Sequence, residues 1–454
     1  MLWKNPTALS QVLIVAAVCF TCPGLYNAIS SIAAGVNDET INYNATAVLY
    51  ACFALFGLFA GGIVNVLGPK YTLFIGTWGY VVYAVSLLVM GNDFDVAAKT
   101  YSSGATAFFY IGNALLGIGA GLLWTAQGQM CMAYPTSETK GAYFSYFWII
   151  FNLGACLGGF MTFGTNYNTT GNTASTTTFV LFLVLMGCGS LLSLLLADPN
   201  SVVRNDGSMV TIERLPNPLT EITQVFKLFF DPKMLLLFPL FGYSNWFYNY
   251  HFFYNQSFFN KRTQGFNSAF YWGSQMVGAF FIGRYLDRPG QKKPKALLSI
   301  YLISALAIVM WGAALWVQTT FEMDFGANRR TIDFQDKDWF LKFFLYAFFG
   351  FNDAICQVWS YWLMGQYSDD MVTLGRYAGY YKGVQSGMAA VAWRLGGIPL
   401  SPMAVLATNI GMASVGLIGA FCSVKMYMPD DSAEPYHDIE TPIEQGKGAT
   451  SLMH

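Results

Sequence analysis

Gly283-Arg284-Tyr285-Leu286-Asp287-Arg288-Pro289-Gly290-Gln291-Lys292 closes one long apolar stretch and leads into the next. A second copy, Gly61-Gly62-Ile63-Val64-Asn65-Val66-Leu67-Gly68-Pro69-Lys70, stands at the matching place in the first half of the chain. Both fit G-x-x-x-[D/N]-x-x-G-x-K, and each joins the second long apolar segment of its half to the third. A loop repeated at equivalent positions implies a repeated helical bundle, a plan shared by many membrane carriers.

The surrounding composition is that of a membrane chain. Charged residues make up 11% and hydrophobic residues 54%, with mean hydropathy +0.41; an ordinary soluble domain carries roughly 25% charged residues. About twelve apolar runs approach the roughly 20 residues a helix needs to cross a bilayer. They predict an all-α membrane protein of two pseudo-symmetric six-helix bundles, 1–197 and 233–424. A linker at 198–232 and an acidic tail at 425–454, expected to be disordered, complete the division. The first run is too long for a cleavable signal and reads as a span and signal anchor. All eight cysteines fall in apolar runs, which is not a disulfide framework, and Cys19-x-x-Cys22 reads as packing on a helix.

Orientation follows from two features. With the N-terminus in the cytoplasm, fifteen Lys and Arg residues fall on the cytoplasmic side and seven on the other, in keeping with the positive-inside rule. The sequons at Asn44, Asn168 and Asn255 then lie in or beside non-cytoplasmic loops, as glycosylation requires, with Asn168 the best placed. Both termini are expected in the cytoplasm, with the plasma membrane and an internal membrane both open.

The duplicated run resembles the cytoplasmic loop motif of the major facilitator superfamily, and span count, halves and linker agree over essentially the whole chain. That resemblance implies two bundles rocking around a central cavity. Gly61 and Gly283 let helices approach closely, and Gly68 and Gly290 permit a tight turn. Arg288, Lys70 and Lys292 supply the basic positions. By the resemblance, Asp287 faces the start of span five near Lys140-Gly141. Asn65 replaces the usual Asp; it keeps a hydrogen bond towards span eleven near Arg376 but gives up the charge, which weakens that latch. In span four, Gly117-Ile118-Gly119 through Trp124-Thr125-Ala126-Gln127-Gly128 looks like the Unc-ninety-three branch, also called the ion channel regulatory protein family. Tyr143 to Trp148 and Asn152-Leu153-Gly154 resemble its fifth span. The resemblance implies either transport or regulation of another membrane protein.

Ionisable groups deep in a span are costly and are functional candidates. Asp353 and Lys382 lie at similar depth, which predicts an Asp353–Lys382 pair; it serves either for ion coupling or as a static lock between helices. His251, at the outer end of span seven, reads as a surface or interfacial group. In the superfamily arrangement spans one, four, seven and ten line the cavity, which brings in Asn113, Trp124, Gln127, Asn245, Asn249, Asn352 and Gln357. Such a lining suits a neutral or mildly cationic small solute better than a multiply charged anion. Pro23-Gly24 interrupts span one, read as a kink.

No Walker-type loop, H-E-x-x-H or G-x-S-x-G occurs, so ATP-driven pumping, metal sites and hydrolase chemistry have no support, and no cofactor is expected. Net charge is −1, which offers nothing to nucleic acid. The expected partners are the lipid bilayer and a small solute or cation, with another membrane protein as the alternative. The reading is a transporter-like protein working by alternating access without ATP; the alternative is a regulator or escort that moves nothing.

Overall fold

A computed structural model describes residues 5–31, 38–95, 100–165, 167, 176–210, 218–320, 331–396 and 400–430. Among them the chain forms twelve spans. Span one is α1 (Ala8–Cys19), a π-helical turn (Phe20–Gly24) and α2 (Leu25–Ser31). Spans two to six are α3 (Glu39–Leu67), α4 (Pro69–Asp93), α5 (Ser103–Ala133), α6 (Lys140–Thr165) and α7 (Thr176–Ser193). A short helix, α8 (Pro218–Leu228), precedes span seven, which is broken into α9 (Pro232–Trp246) and α10 (Tyr248–Phe258). Spans eight to twelve are α11 (Lys261–Leu286), α12 (Lys292–Thr320), α13 (Trp339–Tyr367), α14 (Met371–Gly396) and α15 (Pro402–Tyr427).

Local chemistry sets these ends. Asp38, Ser102, Asn260 and Ser401 cap α3, α5, α11 and α15 through side-chain oxygens that accept a backbone N–H, satisfying amides a helix start leaves open. Pro69, Pro232 and Pro402 occupy first-turn positions, where their missing N–H is harmless. Gly68 and Gly290, at the same place in the two motif copies, have φ of 81° and 123°, backbone that strongly favours glycine. Pro23 sits inside the π-helical turn of span one, so the interruption is a bulge rather than a simple proline kink.

Seven of the described helices are long and apolar enough to cross a membrane. Four of the rest, α9–α10, α11, α13 and α14, are more polar and belong to the second half. Their polar groups face one another inside the bundle, which is how such helices are tolerated in lipid. α4, α7, α12 and α15 turn exposed apolar residues outward, among them Trp78, Val184, Ile308 and Ile418.

The halves meet along two seams, α3 against α14 and α6 against α11. Both are built on glycine. A Cβ on Gly61 would lie 2.8 Å from the Gly375 carbonyl oxygen, and one on Gly283 would lie 2.6 Å from that of Gly141. Such contacts let backbones pack directly, the usual route to helix association in lipid. α8 lies across the first seam, with Phe226 beside Phe59 of α3 and Phe229, just past its end, beside Tyr380 of α14.

Two expected acceptor sites do not lie in loops. Asn44 is half-buried within α3. Asn255 is 5% exposed inside α10, where its Nδ2 donates to the Gln264 carbonyl. Span seven runs to Phe258 and so carries Asn255 into the bundle. Asn168 lies outside the described residues.

Candidate functional site

A partly open cavity lies between the halves. Aromatic residues make a large part of its wall: Tyr26, Tyr50, Phe53, Tyr80, Trp124, Trp148, Phe151 and Tyr248. Its polar groups are Asn27, Asn245, Gln357, Gln385 and Lys382. Spans one, four, seven and ten contribute, as expected from the superfamily arrangement, but spans two, three, five and eleven do too. The charged group that lines the wall is a base, Lys382, whereas Asp353 stands behind Gln357 and is 1% exposed. The lining is amide-rich and aromatic, as expected for a neutral or mildly cationic solute, but the ionisable side chain it presents is Lys382 and not Asp353.

Asp353 and Lys382 do not touch. Two glutamines stand between them. Lys382 Nζ donates to Gln385 Oε1 (2.7 Å), Gln385 Nε2 donates to Gln357 Oε1 (3.1 Å), and Gln357 Nε2 donates to Asp353 Oδ1 (2.6 Å). A lysine ammonium can only donate, so it fixes the direction of the whole chain, which ends with the carboxylate accepting. Lys382 Nζ also lies 4.6, 4.9 and 5.3 Å from the ring centres of Trp124, Tyr381 and Tyr361, each within cation–π range. Gln385 is held by Ser244 Oγ (2.7 Å). The other oxygen of Asp353 accepts from Gln275 Nε2 (2.7 Å) and the Tyr271 hydroxyl (3.2 Å). Trp148 Nε1 of the first half donates to Gln275 Oε1 (2.9 Å), which orients that amide and ties the cavity wall to the carboxylate. A buried charge is kept by such a complete set of partners.

Several expected lining residues are engaged elsewhere. Asn113, Gln127 and Asn352 bond within their own helices, to the Phe109 carbonyl, Cys131 Sγ and the Phe348 carbonyl. Asn249 donates to the Ala392 carbonyl at 2.7 Å and so joins α10 to α14. None of the four lines the cavity; Trp124, Asn245, Gln357 and Lys382 do.

The motif loops close one face of the molecule, called here the motif face. Asp287 Oδ1 accepts from Gly141 N (2.8 Å) and Oδ2 from Ala142 N (2.6 Å), at the first turn of α6. A carboxylate at a helix N-terminus meets both free amides and the positive end of the dipole. Burial pushes the Asp287 carboxyl up, to about 6, against the pull of those two amides. Lys292 reaches Ser137 Oγ (3.0 Å) and Glu138 (3.3 Å) in the loop before α6. Arg288 lies over Tyr285 of its own turn, and Lys70 is half-buried at the start of α4. In the first copy Asn65 Nδ2 donates to the Val372 carbonyl (3.3 Å), while Gln129 Nε2 donates to Asn65 Oδ1 (2.8 Å). Below the cavity, Phe144 stacks on Tyr361 with ring centres 4.8 Å apart. Lys140 Nζ bonds the Gly365 carbonyl and, at 3.1 Å, Asp369. Spans four and five thus press on ten and eleven at this face.

The family model described as ion channel regulatory protein UNC-93 matches residues 35–424. The chain belongs to the UNC-93 family. It is 37% identical over 442 residues to UNC93-like protein 1 of Arabidopsis thaliana, covering 96% of this chain and 94% of that protein. An UNC93-like protein of Schizosaccharomyces pombe is 38% identical over 400 residues, 86% and 76% of the two chains. Among solved structures, a bacterial homologue of the iron transporter ferroportin in its outward-facing state is similar at TM-score 0.63 and 8% identity, covering 92% and 99%. The xylose transporter XylE of E. coli is similar at TM-score 0.59 and 12% identity, covering 94% and 98%. The fold of this UNC-93 family member is that of the major facilitator transporters. Family and fold point to a transporter or regulator rather than an enzyme.

Sequence reasoning missed Gln385, Gln275 and Tyr271, and misjudged His251. His251 is 1% exposed, with Nδ1 3.1 Å from the Tyr271 hydroxyl. A signal for the glutamines was present: Gln385 follows Lys382 by three residues and Gln357 follows Asp353 by four, spacings that bring side chains together on a helix. Tyr271 and Gln275 are also four residues apart, but both reach Asp353 from another helix, which spacing alone does not reveal.

Proposed function

We propose that this UNC-93 family member is a secondary carrier that moves a small neutral or singly anionic solute by alternating access. The observation that carries the reading is Lys382, a cavity-facing ammonium joined through Gln385 and Gln357 to the buried carboxylate of Asp353. An acceptor oxygen on the solute would draw on Lys382, loosen its bond to Gln385 and so disturb the chain that reaches span ten. The aromatic wall supplies apolar area for a solute with a flat face. The excess of basic residues beside the motif loops supports a cytoplasmic motif face. On that assignment the arrangement is sealed towards the cytoplasm.

The test is uptake into proteoliposomes, with potassium and small aromatic solutes that are neutral, singly anionic or cationic. Wild type is expected to take up a neutral or singly anionic member of the set. Lys382→Met is expected to lose about 10- to 100-fold, as removal of a charge-assisted bond worth about 1.5–3 kcal/mol implies. Uptake of potassium or a cationic solute that survives Lys382→Met unchanged would sink the reading. The second reading, a regulator that moves nothing, draws on the family description and on the neutral Asn65 latch. It gains if no solute moves while the protein alters the current of a co-reconstituted potassium channel.

A further inference from the structure

His251 is buried and, among the described residues, leaves one ring nitrogen without a partner. Its ring lies between Phe247 and Phe349, centres 4.9 and 4.3 Å away and planes within 18° and 1°. Nδ1 meets the Tyr271 hydroxyl, and among the described residues Nε2 has no hydrogen-bond partner. The identity of the free atom follows from counting protons. A tyrosine hydroxyl has one hydrogen, and Tyr271 gives it to Asp353 Oδ2. The Tyr271 oxygen must then accept from His251, so the neutral imidazole carries its hydrogen on Nδ1. Nε2 is a bare basic lone pair in an aromatic box. Asp353 cannot reverse this order without disturbing its neighbours, because Gln275 and Gln357 both donate to it and are themselves oriented by Trp148 and, through Gln385, by Lys382.

We propose that His251, Tyr271 and Asp353 form a proton-binding site inside the second half, with Nε2 of His251 taking the proton and Asp353 serving as its counter-charge. Hydronium supplies the proton and leaves as water; one N–H bond forms. The imidazolium then lies between two ring faces that favour a cation and is linked through Tyr271 to a carboxylate. The three residues come from α10, α11 and α13, so the proton acts on the helices around the cavity. Tyr248, which lines the cavity, also reaches the Asp353 carboxylate. The break at Phe247 separates α10 from α9 and lets α10 respond on its own. The other ionisable groups facing Asp353 are Lys382 and Tyr381 of α14, Tyr243 of α9 and Cys356 of α13 itself. Of these, Lys382 is the cation, joined to the same carboxylate through Gln385 and Gln357, so protonation of His251 leaves two cations sharing one counter-charge. The inference rests on the carrier reading for its purpose, as a proton-coupling site, but not for its chemistry.

The test needs no solute. The chain has three histidines, so His437→Asn and His454→Asn leave His251 as the only imidazole. Infrared difference spectra of that purified full-length chain would be recorded between about pH 4 and 8, the range in which a histidine can change charge. An imidazole step is expected, accompanied by a response of the carboxylate band. His251→Asn should remove the step. Tyr271→Phe, which keeps the ring and deletes the hydroxyl, should abolish the shared carboxylate response, with an unchanged melting temperature confirming the fold. Absence of an imidazole step, or a step that Asp353→Asn and Tyr271→Phe both leave unaltered, overturns the proposal. A proton step without any solute uptake keeps this site and removes the carrier reading; uptake that ignores a pH gradient, with no proton step, does the opposite.

Discussion

Asp287 and Asn65 hold the same place in the two motif copies, yet they grip opposite ends of the peptide group. Asp287 takes two backbone N–H groups at the start of α6, across the seam between the halves. Asn65 gives an N–H to the carbonyl of Val372 at the start of α14. The amides of α14 are served from within, since Asp370 accepts from Val372 N (3.3 Å) and Thr373 N (2.8 Å). The first latch has not lost its carboxylate so much as moved it. Asp370 caps the helix but ties nothing across the seam, so the two halves of a duplicated bundle are held with unequal chemistry. A carboxylate on a helix start responds to pH and salt; an amide on a carbonyl does not.

The seams beneath the latches should show the largest effect, and a similar one on both sides. A valine at Gly61 or at Gly283 must push against the carbonyl of a facing helix rather than a movable side chain. Overpacking of this kind costs about 1–3 kcal/mol or more. Spin-label distances across the motif face should lengthen for either variant. If Gly61→Val is tolerated and Gly283→Val is not, the seams themselves are unequal and the latches are not the seat of the asymmetry.

Asp287→Asn should come next. An amide can accept from one of Gly141 and Ala142 but turns its own NH2 on the other, so one bond is lost and two donors are opposed, a cost of about 1–3 kcal/mol. The pH dependence distinguishes this latch further. Its carboxyl value when closed, about 6, exceeds the free value of roughly 3.9. The closed face therefore binds the proton more tightly than the open one. The resulting stability is present below about pH 4 and is lost as pH rises through about 6. Closure measured by the same distances should weaken over that window in wild type and stay flat in Asp287→Asn. An identical pH response in both would place the titrating group elsewhere.

The fold was legible because a repeated loop and twelve apolar runs fix spans and halves without any knowledge of side-chain direction. The motif glycines were legible for the same reason, since their role depends on having no side chain. The site was legible only in part. Asp353 and Lys382 announced themselves as charges in apolar runs, but whether two residues on different helices touch depends on how each helix is rotated, and Gln357 and Gln385 fill the gap. Asn113, Gln127, Asn249 and Asn352 show the same limit, because an amide satisfied on its own helix or on a neighbour reads in sequence like one aimed at a cavity. His251 was misread through a boundary. Span seven breaks at Phe247 and continues to Phe258, so a residue expected at the membrane edge lies inside the bundle.

Asn65→Asp should have the smallest effect and the more informative sign. Restoring the acid of the motif would strengthen the first latch if α14 still offered free amides. It does not, because Asp370 occupies them. The new carboxylate would keep the bond from Gln129 but face the Val372 carbonyl, so closure should weaken by about 1 kcal/mol, roughly fivefold. Adding Asp370→Asn releases the amides at Val372 and Thr373, which gives the new carboxylate a partner across the seam. The double variant should therefore close better than the sum of the single changes allows, a non-additivity expected of residues that share a site. Purely additive losses would show that Asp370 does not stand in for the missing acid, and the unequal latches would then need another cause.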